Sequence, residues 1–102
     1  MSVMPIFAVT YTYADKPAVL DAFRPEHRAF LSGLLEEGTL LASGPLAQDV
    51  ANPAGALLLL DATDEAAVAT TLDADPFARE DVITRRTVRP WVPVFGPWSD
   101  RV

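Results

Sequence analysis

The sequence predicts an α+β domain in the order strand, helix, strand, strand, helix, strand: a four-stranded antiparallel sheet with two helices on one face. Three observations carry that prediction. Four short segments rich in β-branched, aromatic or aliphatic residues are bounded by turn-forming Gly, Pro, Asn and Asp. Two intervening segments begin with helix-start signals. The 102 residues, half of them apolar, suffice for one core and a single domain over 1–102.

The first strand is Ile6–Tyr13, with Phe7, Val9, Tyr11 and Tyr13 on one face and Ile6, Ala8, Thr10 and Thr12 on the other. Ala14–Pro17 breaks it, and Ala18–Phe23 has room for a turn or two of helix. Pro25 suits the first turn of a helix and pushes Arg24 away from helical angles, so the first helix is expected to run from Pro25 to Glu37. Glu26 would then meet the positive end of the helix dipole. Phe30, Leu31, Leu34 and Leu35 recur at helical spacing, His27 falls on the same stripe, and Gly38 is placed to end the helix.

Thr39–Ser43 reads as the second strand, stopped by Gly44-Pro45, and Gln48–Pro53 as a surface loop. Gly55 leads into the third strand, Ala56–Leu60. Thr63 is the expected N-cap of the second helix, which runs to Leu72 or Asp73. Asp75 caps a short turn over Pro76–Glu80. The last strand spans Val82 to about Val92, and the proline-spaced tail to Trp98 is expected to continue extended.

This order is the ferredoxin-like βαββαβ arrangement. Right-handed crossovers put both helices on one face of the sheet and leave the other bare. Leu57 to Leu60 are apolar on both faces of the third strand, where a strand with one wet face would alternate. The expected resolution is a homodimer with the two sheets packed face to face, because monomers rarely expose a large apolar patch.

A net charge of −6 argues against nucleic acid or an anionic membrane as partner. The chain has no cysteine, which removes thiol nucleophiles and disulfides and suits a reducing cytoplasm. The N-terminus shows no secretory pattern, and the run Ala54 to Leu60 is too short to span a bilayer, so a cytoplasmic location is expected.

His27 is the only histidine, and an imidazole exchanges protons near neutrality. A core histidine bonded to a backbone carbonyl is the competing interpretation, and the residues alone leave both open. Asp75 is the natural carboxylate partner, able to fix the ring's tautomer, although Asp before Pro is also what an N-cap looks like. The two roles are compatible. Ser43 offers a hydroxyl and Gly44 close backbone approach to a ligand, against the plainer interpretation of a strand end and a turn. Arg24 is the better candidate for holding a substrate carboxylate, and Arg28 the better candidate for solvated surface. Arg85, Arg86 and Arg89 suit a strand edge, and Trp91 and Trp98 a core or dimer contact. One histidine and no cysteine give poor support for a metal site, and phosphate loops and dinucleotide fingerprints are absent, so no cofactor is expected.

Four of these pieces in order resemble the YciI-like (YCII-related) proteins: Arg24-Pro25-x-His27, Gly38-x-Leu40-x-x-x-Gly44-Pro45, Asp75-Pro76-Phe77 and Val88-Arg89-Pro90-Trp91. The resemblance covers about Ile6 to Trp91, and the tail goes beyond it. It implies a ferredoxin-like fold dimerising into an α/β barrel, related to muconolactone isomerase. It also implies an active site of one histidine and one aspartate, which map onto His27 and Asp75. The chemistry associated with the family is proton transfer with loss of chloride from an aromatic-pathway intermediate.

The expected function is therefore a lyase or isomerase acting on a small anionic or aromatic molecule, with His27 as acid/base and Asp75 orienting it. The alternative is a ligand-binding or regulatory module without chemistry. An RNA-binding domain of the same topology is disfavoured, since leucines replace the aromatic and basic residues its third strand would need.

Overall fold

The computed structural model describes residues 5–101. It contains β1 (Ile6–Tyr13), α1 (Pro17–Glu36), β2 (Leu40–Leu46), β3 (Gly55–Asp61), α2 (Glu65–Leu72), α3 (Pro76–Arg79), β4 (Ile83–Trp91) and a 3-10 turn at Ser99–Arg101. The strands lie in the order β2-β3-β1-β4, every neighbouring pair antiparallel, which is the ferredoxin-like sheet.

Alternation along β1 decides which face is covered. Val9 pairs with Leu58 of β3 and Val88 of β4, and Tyr11 with Ala56 and Arg86. Phe7, Val9 and Tyr11 are buried with Leu58 and Leu60 against Leu34 of α1 and Val68 and Leu72 of α2. A smaller cluster of Leu20, Phe77 and Val82 closes the end of the fold where α1 meets α3. On the opposite face Leu57 and Leu59 pair with Gly44 and Ala42 on one side and with Thr10 and Ala8 on the other. Leu57 and Leu46 remain exposed there.

Several boundaries differ from the sequence expectation. The first helix begins at Pro17, not Pro25, and runs through Pro25, so Glu26 is not in its first turn. An interior proline forfeits a backbone hydrogen bond and crowds the carbonyl four residues back, a cost of roughly 3 kcal/mol. Packing on both sides of it offsets that cost: Leu20 with Phe77 and Val82 before the proline, Leu34 in the main core after it. Leu35 lies off the buried stripe and is exposed, whereas Gly38 ends the helix as expected, at φ +84°.

β2 does not stop at Gly44-Pro45 but continues through both, with Pro45 opposite Ala56. It is an edge strand, and an edge tolerates a proline because only one side of its backbone must bond. The second helix is capped by Asp64, one residue later than Thr63, its carboxylate accepting from the Ala67 N–H. Asp75 caps α3 as expected. Beyond Trp91 the tail leaves the sheet, and instead of staying extended to Trp98 it bends at Phe95-Gly96 and turns through Pro97-Trp98 into the 3-10 turn at Ser99–Arg101. Val94 and Phe95 in it are exposed.

One glycine has a steric role that bears on the site. A Cβ on Gly55 would lie 2.0 Å from the Tyr11 carbonyl oxygen, so only glycine lets the start of β3 approach β1 this closely.

Candidate functional site

Three elements converge on Asp75. As N-cap of α3 its Oδ1 accepts from the Phe77 N–H at 2.9 Å. His27, projecting from the middle of α1, places Nδ1 2.8 Å from Oδ1 and 3.0 Å from Oδ2. Tyr11 of β1 donates its hydroxyl to Oδ2 at 3.0 Å. Asp75 is fully buried, so these donors take the place of water around the carboxylate.

A carboxylate accepts only, and the Phe77 N–H and the Tyr11 hydroxyl already donate to it. His27 therefore meets it as a donor, with the proton on Nδ1. In that neutral form Nε2 is the unprotonated nitrogen, on a ring that lines the neighbouring cleft. The imidazole lies flat on Phe77, with ring centroids 4.0 Å apart and planes 6° from parallel. Tyr13 meets the same phenyl ring edge-on at 5.4 Å.

His27 borders a cleft of about 470 Å³ between α1 and the ends of β2 and β3. Its apolar wall includes Leu20, Leu31, Leu58 and Phe77, and its polar wall Tyr13, Arg24, Arg28, Ser43 and Gln48. Of the residues singled out from sequence, His27, Arg24, Ser43 and Gly44 all line this cleft, and Asp75 stands behind His27. Ser43 is in register with buried Leu58, hence on the helix side of the sheet. Arg24 is half-buried and paired with Asp21 one turn back. Arg28 is exposed as expected and also borders the cleft. Arg86 is not simply an edge charge: it lies on the covered face opposite Tyr11 and pairs with Asp73 at 2.9 Å.

Sequence reasoning missed Tyr11, Tyr13 and Phe77 as parts of the site. A signal existed for Tyr11, since a tyrosine on the buried face of a strand needs a partner for its hydroxyl. Burial, and then the Asp75 charge, push the Tyr11 phenol far above its ordinary range, so it keeps the proton that it donates to Asp75. The same two causes, burial first, push Tyr13 up to about 12. Among the described residues no group of three His, Cys, Asp or Glu side chains could hold a metal ion. None of the described helices is long and apolar enough to cross a membrane.

The family profile of the YCII-related domain matches residues 4–92. No curated protein matches the chain. Among solved structures it is similar to 5-chloro-2-hydroxyhydroquinone dehydrochlorinase (TftG) from Burkholderia phenoliruptrix AC1100, in complex with 2,5-dihydroxybenzoquinone. The identity is 20%, the TM-score 0.69, and the match covers 84% of this chain and 92% of that one. It is similar to PA3566 from Pseudomonas aeruginosa at 20% identity and TM-score 0.54, covering 89% and 94% of the two chains. It is also similar to SnoaB, a cofactor-independent oxygenase from Streptomyces nogalater, at 16% identity and TM-score 0.52, covering 93% and 97%. Likeness at these identities is likeness of fold.

Proposed function

The chain belongs to the YCII-related domain family, and from that premise we propose that it is a lyase or isomerase moving a proton on a small anionic or aromatic molecule. One observation carries the proposal: the only imidazole in the chain is held by a buried carboxylate at the wall of a cleft of small-molecule size. The dehydrochlorinase of the same fold lends support, because its named reaction acts on a small hydroxylated ring.

In the proposed step His27 Nε2 takes a proton from a substrate carbon. The electron pair left behind either expels a leaving group from the adjacent carbon or shifts a double bond. Asp75 holds the ring in its Nδ1–H form and stabilises the imidazolium that results. Arg24, the Ser43 hydroxyl and the backbone at Gly44 hold the substrate's charged oxygen. The proton returns from Nε2 to the leaving group or to another substrate carbon, which restores the enzyme. Tyr11 and Phe77 belong to the frame that keeps the ring still. The setting is the cytoplasm, which a cysteine-free composition suits.

We further propose that the protein works as a homodimer joined through the sheet face bearing Leu57 and Leu59. Support comes from the exposed Leu57 and Leu46 on that face.

A panel of lactones, muconates and halogenated hydroquinones tests the function. Turnover that falls about a hundred- to ten-thousand-fold in a folded His27→Ala variant supports it. Saturable binding without product would make the protein a ligand-binding module instead.

A further inference from the structure

We propose that Tyr11 is a positioning residue: its buried hydroxyl anchors Asp75 Oδ2 and so selects the Nδ1–H tautomer of His27, which leaves Nε2 as the proton acceptor in the cleft. The inference rests on the acid/base role given above to His27, and adds the residue that sets the state of that base.

Three geometric facts carry it. First, the two carboxylate oxygens are tied to different parts of the fold. Oδ1 is held by the backbone at the start of α3, and Oδ2 by a side chain from the middle of β1. One anchor alone would leave the carboxylate free to swing about its Cβ–Cγ bond, whereas two fix its plane. The imidazole, arriving on α1, then meets an acceptor of fixed orientation at 2.8 and 3.0 Å.

Second, Tyr11 and Asp75 are 1% and 0% exposed, so water cannot take over from a lost hydroxyl without opening the core. An Oδ2 deprived of its donor would have to seek compensation from the ring. With one of its anchors gone the carboxylate can turn away from Nδ1, and the single neutral form is lost.

Third, the placement of Tyr11 is over-determined. Its backbone is met closely by Gly55, its cross-strand neighbour on β3 is the small Ala56, and its ring packs within the main core. A tyrosine needed only to fill space would have no use for a hydroxyl aimed at a buried acid. The Asp75–Phe77 bond already caps α3, so the Tyr11 bond is surplus to the helix and serves the carboxylate's orientation.

The sole histidine makes the test direct, because every imidazole signal in an NMR spectrum of this protein belongs to His27. In wild-type protein at about pH 8, nitrogen-15 correlation through the ring protons is expected to show one protonated and one unprotonated nitrogen, with the proton on Nδ1. A phenol proton protected from exchange should show a nuclear Overhauser contact to the same ring. In Tyr11→Phe, whose fold is checked by circular dichroism, the two ring nitrogen signals should converge. An unchanged pair of nitrogen signals in folded Tyr11→Phe overturns the proposal. Should that variant not fold, the wild-type spectrum decides: a proton on Nε2, or no protected phenol proton, overturns it equally. The readout involves no substrate. A protein that turns nothing over but loses its single tautomer in Tyr11→Phe would retire the catalytic role of His27 and leave that of Tyr11 standing.

Discussion

His27 Nδ1 lies 2.8 Å from Asp75 Oδ1, although 48 positions separate the two residues along the chain. The contact joins α1 to the start of α3, and the stack of His27 on Phe77 runs beside it. It therefore serves the fold as well as the proposed chemistry, and substitutions here should change stability and ring state together.

Asp75→Asn keeps the size of the side chain but turns one acceptor into a donor facing donors. Tyr11, Phe77 and His27 cannot all be satisfied by a single amide oxygen. A loss of about 2 to 4 kcal/mol is expected, read as a lower midpoint in urea with an unchanged slope. An unchanged midpoint would mean that the buried network contributes nothing to the fold.

Pro25→Ala should raise stability. Alanine restores an amide to the helix interior and removes the clash with the carbonyl of Asp21, while giving back some chain freedom in the unfolded state. The net gain expected is about 1 to 2 kcal/mol by denaturant titration. A loss would mean that packing around Phe23, Arg24 and His27 depends on the proline ring.

Much of the architecture was legible in the residues, for identifiable reasons. Alternation along Ile6–Tyr13 gave both faces of β1, because a two-residue period has one solution when one side is buried. Asp75 was recognisable as a cap from the proline that follows it. The errors fell where long-range packing overrode a local rule. Pro25 reads as a helix start until Leu20 is seen packed on Phe77 and Val82, far along the chain. Gly44-Pro45 reads as a stop until β2 is known to be an edge strand. The buried face of β1 signalled that the Tyr11 hydroxyl needs a partner, but the identity of that partner, 64 residues away, could not be read locally.

Stability should fall in alkali, through two phenols. Both Tyr11 and Tyr13 hold their protons more tightly in the folded chain than in the unfolded one, chiefly because they are buried. The unfolded chain thus releases protons first as pH rises past about 10. Stability from these groups is whole below that pH and declines from there upward, with Tyr13 ionising in the folded protein at about 12. Denaturant midpoints between pH 8 and 12 should show the decline, and Tyr13→Phe should make it shallower. A midpoint independent of pH over that window would contradict the burial of both hydroxyls.

Sedimentation should give a particle of twice the 11.0 kDa chain mass. Leu57→Glu, on the outer sheet face, should return it to the mass of one chain, because a charge there would be buried against its own copy. A wild-type protein that stays monomeric at high concentration would remove the dimer and leave Leu57 and Leu46 as plain exposed residues.

The most direct test of proton transfer by His27 is solvent exchange into candidate substrates in deuterium oxide. Lactones, muconates and halogenated hydroquinones incubated with wild-type protein should include one that gains deuterium at a carbon or is converted outright. With that compound, folded His27→Gln should exchange about a hundred- to ten-thousand-fold more slowly. Exchange at the wild-type rate in folded His27→Gln would contradict the assignment of His27 as the base.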